Sequence, residues 1–374
     1  RGFSREACEL MPSPFDLVSA SIIAFLFISL VSAFLARHQR FLVNFASLLS
    51  AAACLLAATG GFLAVLSGGV EAFVLPIGLP DLPFYMRLDA LSGFFVTLVG
   101  LLGFFVYIYS AGYLRGFLDR RSVTPLIVFC NIFMAGMLLV LIADDAYFFM
   151  VSWELMAVSS FFLVFFEDDQ VQNRRAAFIY ILIAHIGAIL ILLSFGIMAG
   201  FATGFESFRG YTFEAMRSAQ MPAVWASIVF IAAFLGFAAK AGVIPLHVWL
   251  PEAHPAAPSN ISALMSGVML KTAIYGILRV GFDLASEPQW WWGGMVLVFG
   301  LFSAVLGILY ALMQDDIKRL LAYSSVENIG ITLIAVGLAM IFAYVKMNTL
   351  AALAMAAALY HMLNHAVFKG LLFM

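Results

Sequence analysis

Residues 231–271 read IAAFLGFAAKAGVIPLHVWLPEAHPAAPSNISALMSGVMLK. Two apolar runs, carrying Lys240 and Lys271, flank a stretch interrupted by Gly242, Pro245, Pro251, Pro255 and Pro258. Proline removes a backbone donor and obstructs a continuing helix, so one regular helix cannot run through this stretch. In a membrane, an ionisable side chain within an apolar run usually marks an ion path. Interrupted helices are also how transporters expose backbone groups at depth to build ion sites.

Working outward, the whole chain has the same character. Its 374 residues are 64% hydrophobic and 11% charged, against about 25% charged in a soluble domain. The fold class expected is an all-α polytopic membrane protein, because the apolar runs are long and continuous rather than alternating as in a β-barrel. A net charge of -2 gives no basis for nucleic-acid binding. Cys8, Cys54 and Cys130 have neither metal nor disulfide spacing, and no GxGxxG or P-loop motif is present. No metal site and no bound cofactor are therefore expected in this chain. The first apolar run is too long for a cleavable signal, and its basic residues follow it. MPSPFDLV, from Met11, reads as a natural start. The final run, VFKGLLFM, stops without a turn or flanking charge, so the chain is expected to be a fragment lacking C-terminal helices.

A spanning helix needs about 20 apolar residues. Spans are expected near 15–36, 41–67, 89–112, 123–142, 145–166, 175–200, 222–250 (broken), 259–281, 291–313, 319–343 and 348–374, about eleven in all. Arg37/Arg40, Arg115/Arg120/Arg121, Arg174/Arg175 and Lys318/Arg319 then share one side, which the positive-inside rule makes cytoplasmic. Arg1, Arg5, Arg87, Arg209, Arg217, Arg279 and Lys346 fall in outer segments. Three basic residues remain, Lys240, Lys271 and Lys369, all within apolar runs. The selectivity matters, since a desolvated lysine can release its proton whereas arginine keeps its own. Between the second and third spans, Pro76, Gly78, Pro80 and Pro83 exclude helix and predict an ordered outer loop or short hairpin. Residues 203–220 read as a short amphipathic surface segment. Trp290–Trp292 read as interface aromatics at a helix start.

Other polar residues share the apolar runs. Glu154 sits mid-span in AYFFMVSWELMAVSSFFLVFF, either on an ion path or as a partner for a lysine or another helix. Lys240 is expected to lie within its run, with apolar sequence continuing to Leu250; snorkelling is the alternative. Ser266 and Thr272, near Lys271, bond either to water or to their own backbone. His361, His365 and Lys369 follow each other at intervals of four, one stripe of a helix, suited to a water-bridged relay or to a polar helix contact. His185, His247, Glu252 and Glu327 are auxiliary candidates. His247 and His254 flank the break with a spacing that is a weak metal signal. Glu327 and Asn328 open the tenth span, where an acid also suits the helix dipole.

The segments FAAKAGVIPLHVWLPEAHPAAPSNISALMSGVMLKTAIYGILR, SWELMAVSSFFLVFF, QDDIKRLLAYSSVENIG and HMLNHAVFKGLLF together resemble the antiporter-like, proton-translocating membrane subunits. That family includes the large membrane subunits of respiratory complex I (subunit M among them), Mrp-type sodium/proton antiporters and the membrane arms of energy-converting hydrogenases. HPAAPSNISALMSGVMLKT and SVENIG look most like the subfamily of hydrogenase 4 component B and formate hydrogenlyase subunit 3. The resemblance implies about fourteen helices containing two inverted five-helix repeats. Residues 1–122 would hold helices one to three, 123–281 the first repeat, and 282–374 an incomplete second repeat. It also implies a proton path through Glu154, Lys240, Lys271, His361, His365 and Lys369, with the seventh helix broken at Gly242, Pro245 and Pro251. The partners implied are other membrane subunits and a peripheral hydrogenase or dehydrogenase arm holding nickel-iron and iron-sulfur centres. The location implied is a prokaryotic inner membrane. The alternatives are a proton-pumping subunit of a complex I-type NADH:quinone oxidoreductase and a sodium/proton antiporter.

Overall fold

A computed structural model describes residues 12–204, 208–285 and 288–374. Cys8, Met11 and part of the 203–220 segment lie outside these residues. Eleven described helices are long and apolar enough to cross a membrane: α1 Pro14–Phe34, α2 Gln39–Ser67, α3 Ala90–Phe117, α4 Thr124–Ile142, α5 Ala146–Glu167, α6 Val171–Thr203, α7 Ala223–Ala241, α8 Ser259–Leu284, α9 Trp290–Leu312, α10 Ile317–Tyr344 and α11 Asn348–Phe373. With no water in the hydrocarbon region, each span must satisfy its own backbone polar groups, and a helix does so. The chain is a multi-pass membrane protein. A two-stranded antiparallel hairpin, β1 Glu71–Leu79 and β2 Leu82–Leu88, occupies the expected outer loop.

α8 is the axis of the bundle, buried along almost all of its length. Elsewhere close helix contact depends on glycine. A Cβ on Gly330 would lie 2.4 Å from the Ala304 nitrogen, and one on Gly293 would lie 2.6 Å from the Gly337 carbonyl oxygen, so α9 and α10 touch backbone to backbone. Lipid tails are as apolar as the side chains, so such close packing replaces the hydrophobic drive of a soluble core.

Four local expectations are corrected. The seventh span does not continue to Leu250. α7 ends at Ala241, with Gly242 as its left-handed cap (φ 75°), and a second helical limb runs Leu250–Ala256. Glycine carries that φ without the strain a Cβ would bring. Pro251 therefore lies in the first turn of the second limb, where its missing N–H costs nothing. Glu327 does not open α10, which starts ten residues earlier at Ile317. Trp292 is no interface anchor: it is fully buried, stacked on Phe230 with centroids 4.5 Å apart.

Candidate proton-translocation site

The three lysines left over by the loop assignment are all buried: Lys240 is 2% exposed, Lys271 1% and Lys369 0%. None has a carboxylate within 4.0 Å among the described residues. Each ammonium is held instead by neutral oxygen atoms, and each local geometry has its own origin.

Lys240 occupies the last turn of α7, a correction to the mid-run position expected from apolar continuity. Its ammonium donates to the Tyr180 hydroxyl on α6 at 2.5 Å and lies 4.7 Å from that ring's centroid. The carbonyl end of a helix also favours a cation. Near it, Ala238 O accepts from Val243 N, and Ala239 O accepts from the Trp249 indole at 2.8 Å. Two of the acceptors near the break are thus satisfied by protein. Tyr180 is a junction the sequence reading missed. Its hydroxyl also meets Ser160 Oγ on α5 at 2.5 Å and Met269 Sδ on α8 at 3.6 Å. The available signal was a tyrosine inside an apolar span, whose buried hydroxyl needs a partner.

Lys271 follows a π-helical turn, Met265–Met269. Such a turn shifts the backbone pairing, and the Ser266 carbonyl accepts from the Lys271 ammonium at 2.6 Å. Ser266 Oγ crosses to Ser325 Oγ on α10 at 2.7 Å, while Thr272 Oγ1 bonds its own backbone at Met269 O, 2.7 Å. Ser266 thus makes an interhelical contact, the reading that sequence had not included.

On α11, His361, His365 and Lys369 form the expected stripe. The two imidazole centroids are 6.4 Å apart, and Lys369 donates to Leu321 O on α10 at 2.8 Å. Both nitrogens of the fully buried His365, and Nε2 of His361, have no protein partner. His254, in the second limb of the break, is likewise fully buried with both nitrogens unpartnered, and stacks on Phe373 at 5.0 Å. Buried polar atoms of this kind are normally satisfied by water.

Glu154 is not the buried partner of a lysine. It is part exposed and lies 3.4 Å from His185 on α6, itself half exposed; His185 Nδ1 is 2.8 Å from Ile181 O. The pair therefore lies on the outer surface of the bundle. His247 lies beside Tyr310 and Tyr323, with ring centroids 6.3 and 6.0 Å away. Glu252 is ion-paired with Arg319 at 2.6 Å, beside a polar cleft lined by Arg175, Gln314 and Asp316 on the side assigned to the cytoplasm. Glu327 accepts from Ser324 Oγ at 3.3 Å. No cluster of three or more potential metal-ligating side chains occurs among the described residues.

An interrupted helix and buried lysines with no carboxylate partner are features that ion-translocating membrane proteins share. The chain belongs to the NADH:quinone oxidoreductase/Mrp antiporter transmembrane family, whose pattern matches residues 143–374; residues 75–122 match the N-terminal region of complex I chain 5. Hydrogenase-4 component B of Escherichia coli is 42% identical over 96% of this chain and 52% of its own length. Formate hydrogenlyase subunit 3 of the same organism is 30% identical over 96% of this chain and 54% of its own. In the solved Mrp complex of Dietzia sp. DQ12-45-1b, a chain with TM-score 0.76 and 24% identity covers 95% of this chain, which spans 37% of it; this likeness shows the fold. The chain spans about half the length of the curated relatives it matches.

Proposed function

We propose that this chain is the proton-translocating part of a membrane subunit in an energy-converting hydrogenase or formate hydrogenlyase-type oxidoreductase, in a prokaryotic cell membrane. The observation that carries the reading is the set of three buried lysines, each bound to neutral oxygen atoms rather than to a carboxylate. A permanently paired ammonium would be a fixed structural charge. An unpaired one has a small energy difference between holding and releasing its proton, which suits a carrier.

In this reading a proton reaches Lys240 from the cytoplasmic side, is held by the Tyr180 hydroxyl, and moves through water to Lys271. It then passes to His361, His365 and Lys369. Glu154, joined with His185, modulates the occupancy of Lys240 as a charge beyond contact distance. Their position on the outside of the bundle suits cover by a neighbouring membrane subunit, since a carboxylate facing lipid is costly. Nickel-iron and iron-sulfur centres would reside in partner subunits of a peripheral arm. Residues 123–281 and 282–374 would be one inverted repeat and part of a second.

The test replaces Lys240→Met and Glu154→Gln in the full-length protein within its complex. Both variants are expected to lose redox-driven proton pumping. Undiminished pumping in both sinks the mechanism, and sodium-dependent proton exchange without a redox partner would move the assignment to an antiporter.

A further inference from the structure

Arg279 is the one arginine buried in a spanning helix among the described residues, where loop assignment had placed it outside the membrane. It is 5% exposed, in the π-helical last turn of α8. Lys271, Tyr275, Arg279 and Asp283 follow at intervals of four, so one stripe of α8 leads from the central lysine to the outer surface. Water and hydroxyls along such a stripe would open a second way out for a proton on Lys271, about 12 Å away at eight residues of helical rise.

The contacts close that route. All five guanidinium N–H groups of Arg279 have acceptors. Nε donates to Tyr275 OH at 3.2 Å. Nη1 donates to Asp89 and Asp283 at 2.8 and 3.0 Å, and Nη2 to Asp89, Ser92 and Tyr275 at 2.9, 3.0 and 3.1 Å. Tyr275 spends its own proton on Leu141 O at 2.9 Å. Arg217 completes the lattice, donating to Asp283 from Nε and Nη2 at 2.9 and 3.0 Å and to Asp144 at 2.9 Å. The cluster joins the starts of α3 and α5, the end of α8 and the short helix Phe213–Ser218.

Resting on the proton-carrier reading above, we infer that the Arg279–Asp89–Asp283–Arg217 lattice is a proton-tight stopper that bars the outer exit from Lys271 and so directs its proton sideways toward α11. A guanidinium does not release its proton in a protein, so it cannot act as a link in a relay. Asp89 and Asp283 are each ion-paired with Arg279, and Asp283 with Arg217 as well. For Asp89, burial raises the carboxyl, but hydrogen bonds and charge from Arg279 outweigh it and hold the group well below the usual range. Every N–H of Arg279 that could anchor a water wire is already committed to protein.

The experiment uses proteoliposomes of the full-length protein within its complex, with passive proton flux measured under an imposed pH gradient and no redox turnover. The paired variant Arg279→Met/Asp89→Asn, which keeps the net charge, removes the guanidinium that fills the exit and is expected to raise passive flux about tenfold or more, the effect of lowering a barrier by about 1.4 kcal/mol. Adding Lys271→Met should return the flux to the wild-type level. Arg279→Lys, which keeps a charge but loses the fork, tests the acid–base argument, because a lysine can relay a proton; it should leak, and Lys271→Met should again stop the leak. If Arg279→Met/Asp89→Asn fails to assemble, Arg279→Lys and Asp283→Asn decide the matter. No leak in assembled variants, or a leak that survives Lys271→Met, overturns the stopper. Unchanged redox-driven pumping in both Lys240→Met and Glu154→Gln overturns the carrier reading instead, so the two failures are distinguishable.

Discussion

Tyr180→Phe isolates one atom of the site. Phenylalanine keeps the ring that lies 4.7 Å from the Lys240 ammonium and packs on Trp249 with centroids 4.9 Å apart. Ser160 loses a partner but still donates to Met156 O at 2.6 Å, so no buried donor is orphaned on α5. What disappears is the 2.5 Å acceptor of a fully buried ammonium. A hydrogen bond to a charged group contributes about 1.5–3 kcal/mol. If occupancy of Lys240 limits turnover, that loss slows pumping by about one to two powers of ten. The assay is redox-driven proton uptake by proteoliposomes, normalised to electron flux, with assembly checked by purification of the intact complex. Ser160→Ala is the control: it touches Lys240 only through the tyrosine and should leave the rate near wild type. A Tyr180→Phe complex that assembles and pumps at the wild-type rate refutes the reasoning, because the ammonium would then be indifferent to its closest described partner.

Three further outcomes follow from the same contacts. Asp89→Asn alone leaves a buried guanidinium without one of its carboxylates, and removing one partner of a buried pair costs about 3–5 kcal/mol; the thermal midpoint in detergent should fall clearly, and an unchanged midpoint contradicts a structural role for the lattice. Gly330→Val drives a branched side chain into the Ala304 and Gly300 backbone, an overpacking cost of about 1–3 kcal/mol or more; the variant should melt earlier, whereas a Gly196→Ala change, with open space around its Cβ, should not. Burial raises the carboxyl of Asp145 to about 6 despite hydrogen bonds from the Phe148 and Tyr85 N–H groups. The folded chain then holds a proton that the unfolded chain has shed between about pH 4 and pH 6, so this residue's contribution to stability falls as pH rises through that window. Asp145→Asn should flatten that part of the melting profile, and a slope unaltered by the substitution would show that the carboxyl does not titrate there.

The sequence by itself determined the membrane class, the number of spans and most of their ends. Those rest on local quantities: run length, proline and glycine, and charge in the loops. It also marked Lys240, Lys271, His361, His365 and Lys369, because a polar side chain in a long apolar run is visible without knowing its neighbours. Partners were beyond it. Glu154 belongs with His185, 31 residues on, and Lys240 with Tyr180, 60 residues back, since what pairs a side chain is the angle at which its helix faces another. Arg279 shows the limit most clearly. Next to a loop it reads as one more outer cation, and only the folding of α3, α5 and the 213–218 helix around the end of α8 turns it into a buried, fully bonded charge. Hydropathy fixes whether a segment enters the membrane. Which polar atoms meet inside is decided by packing, because there each unpaired donor costs far more than it does in water.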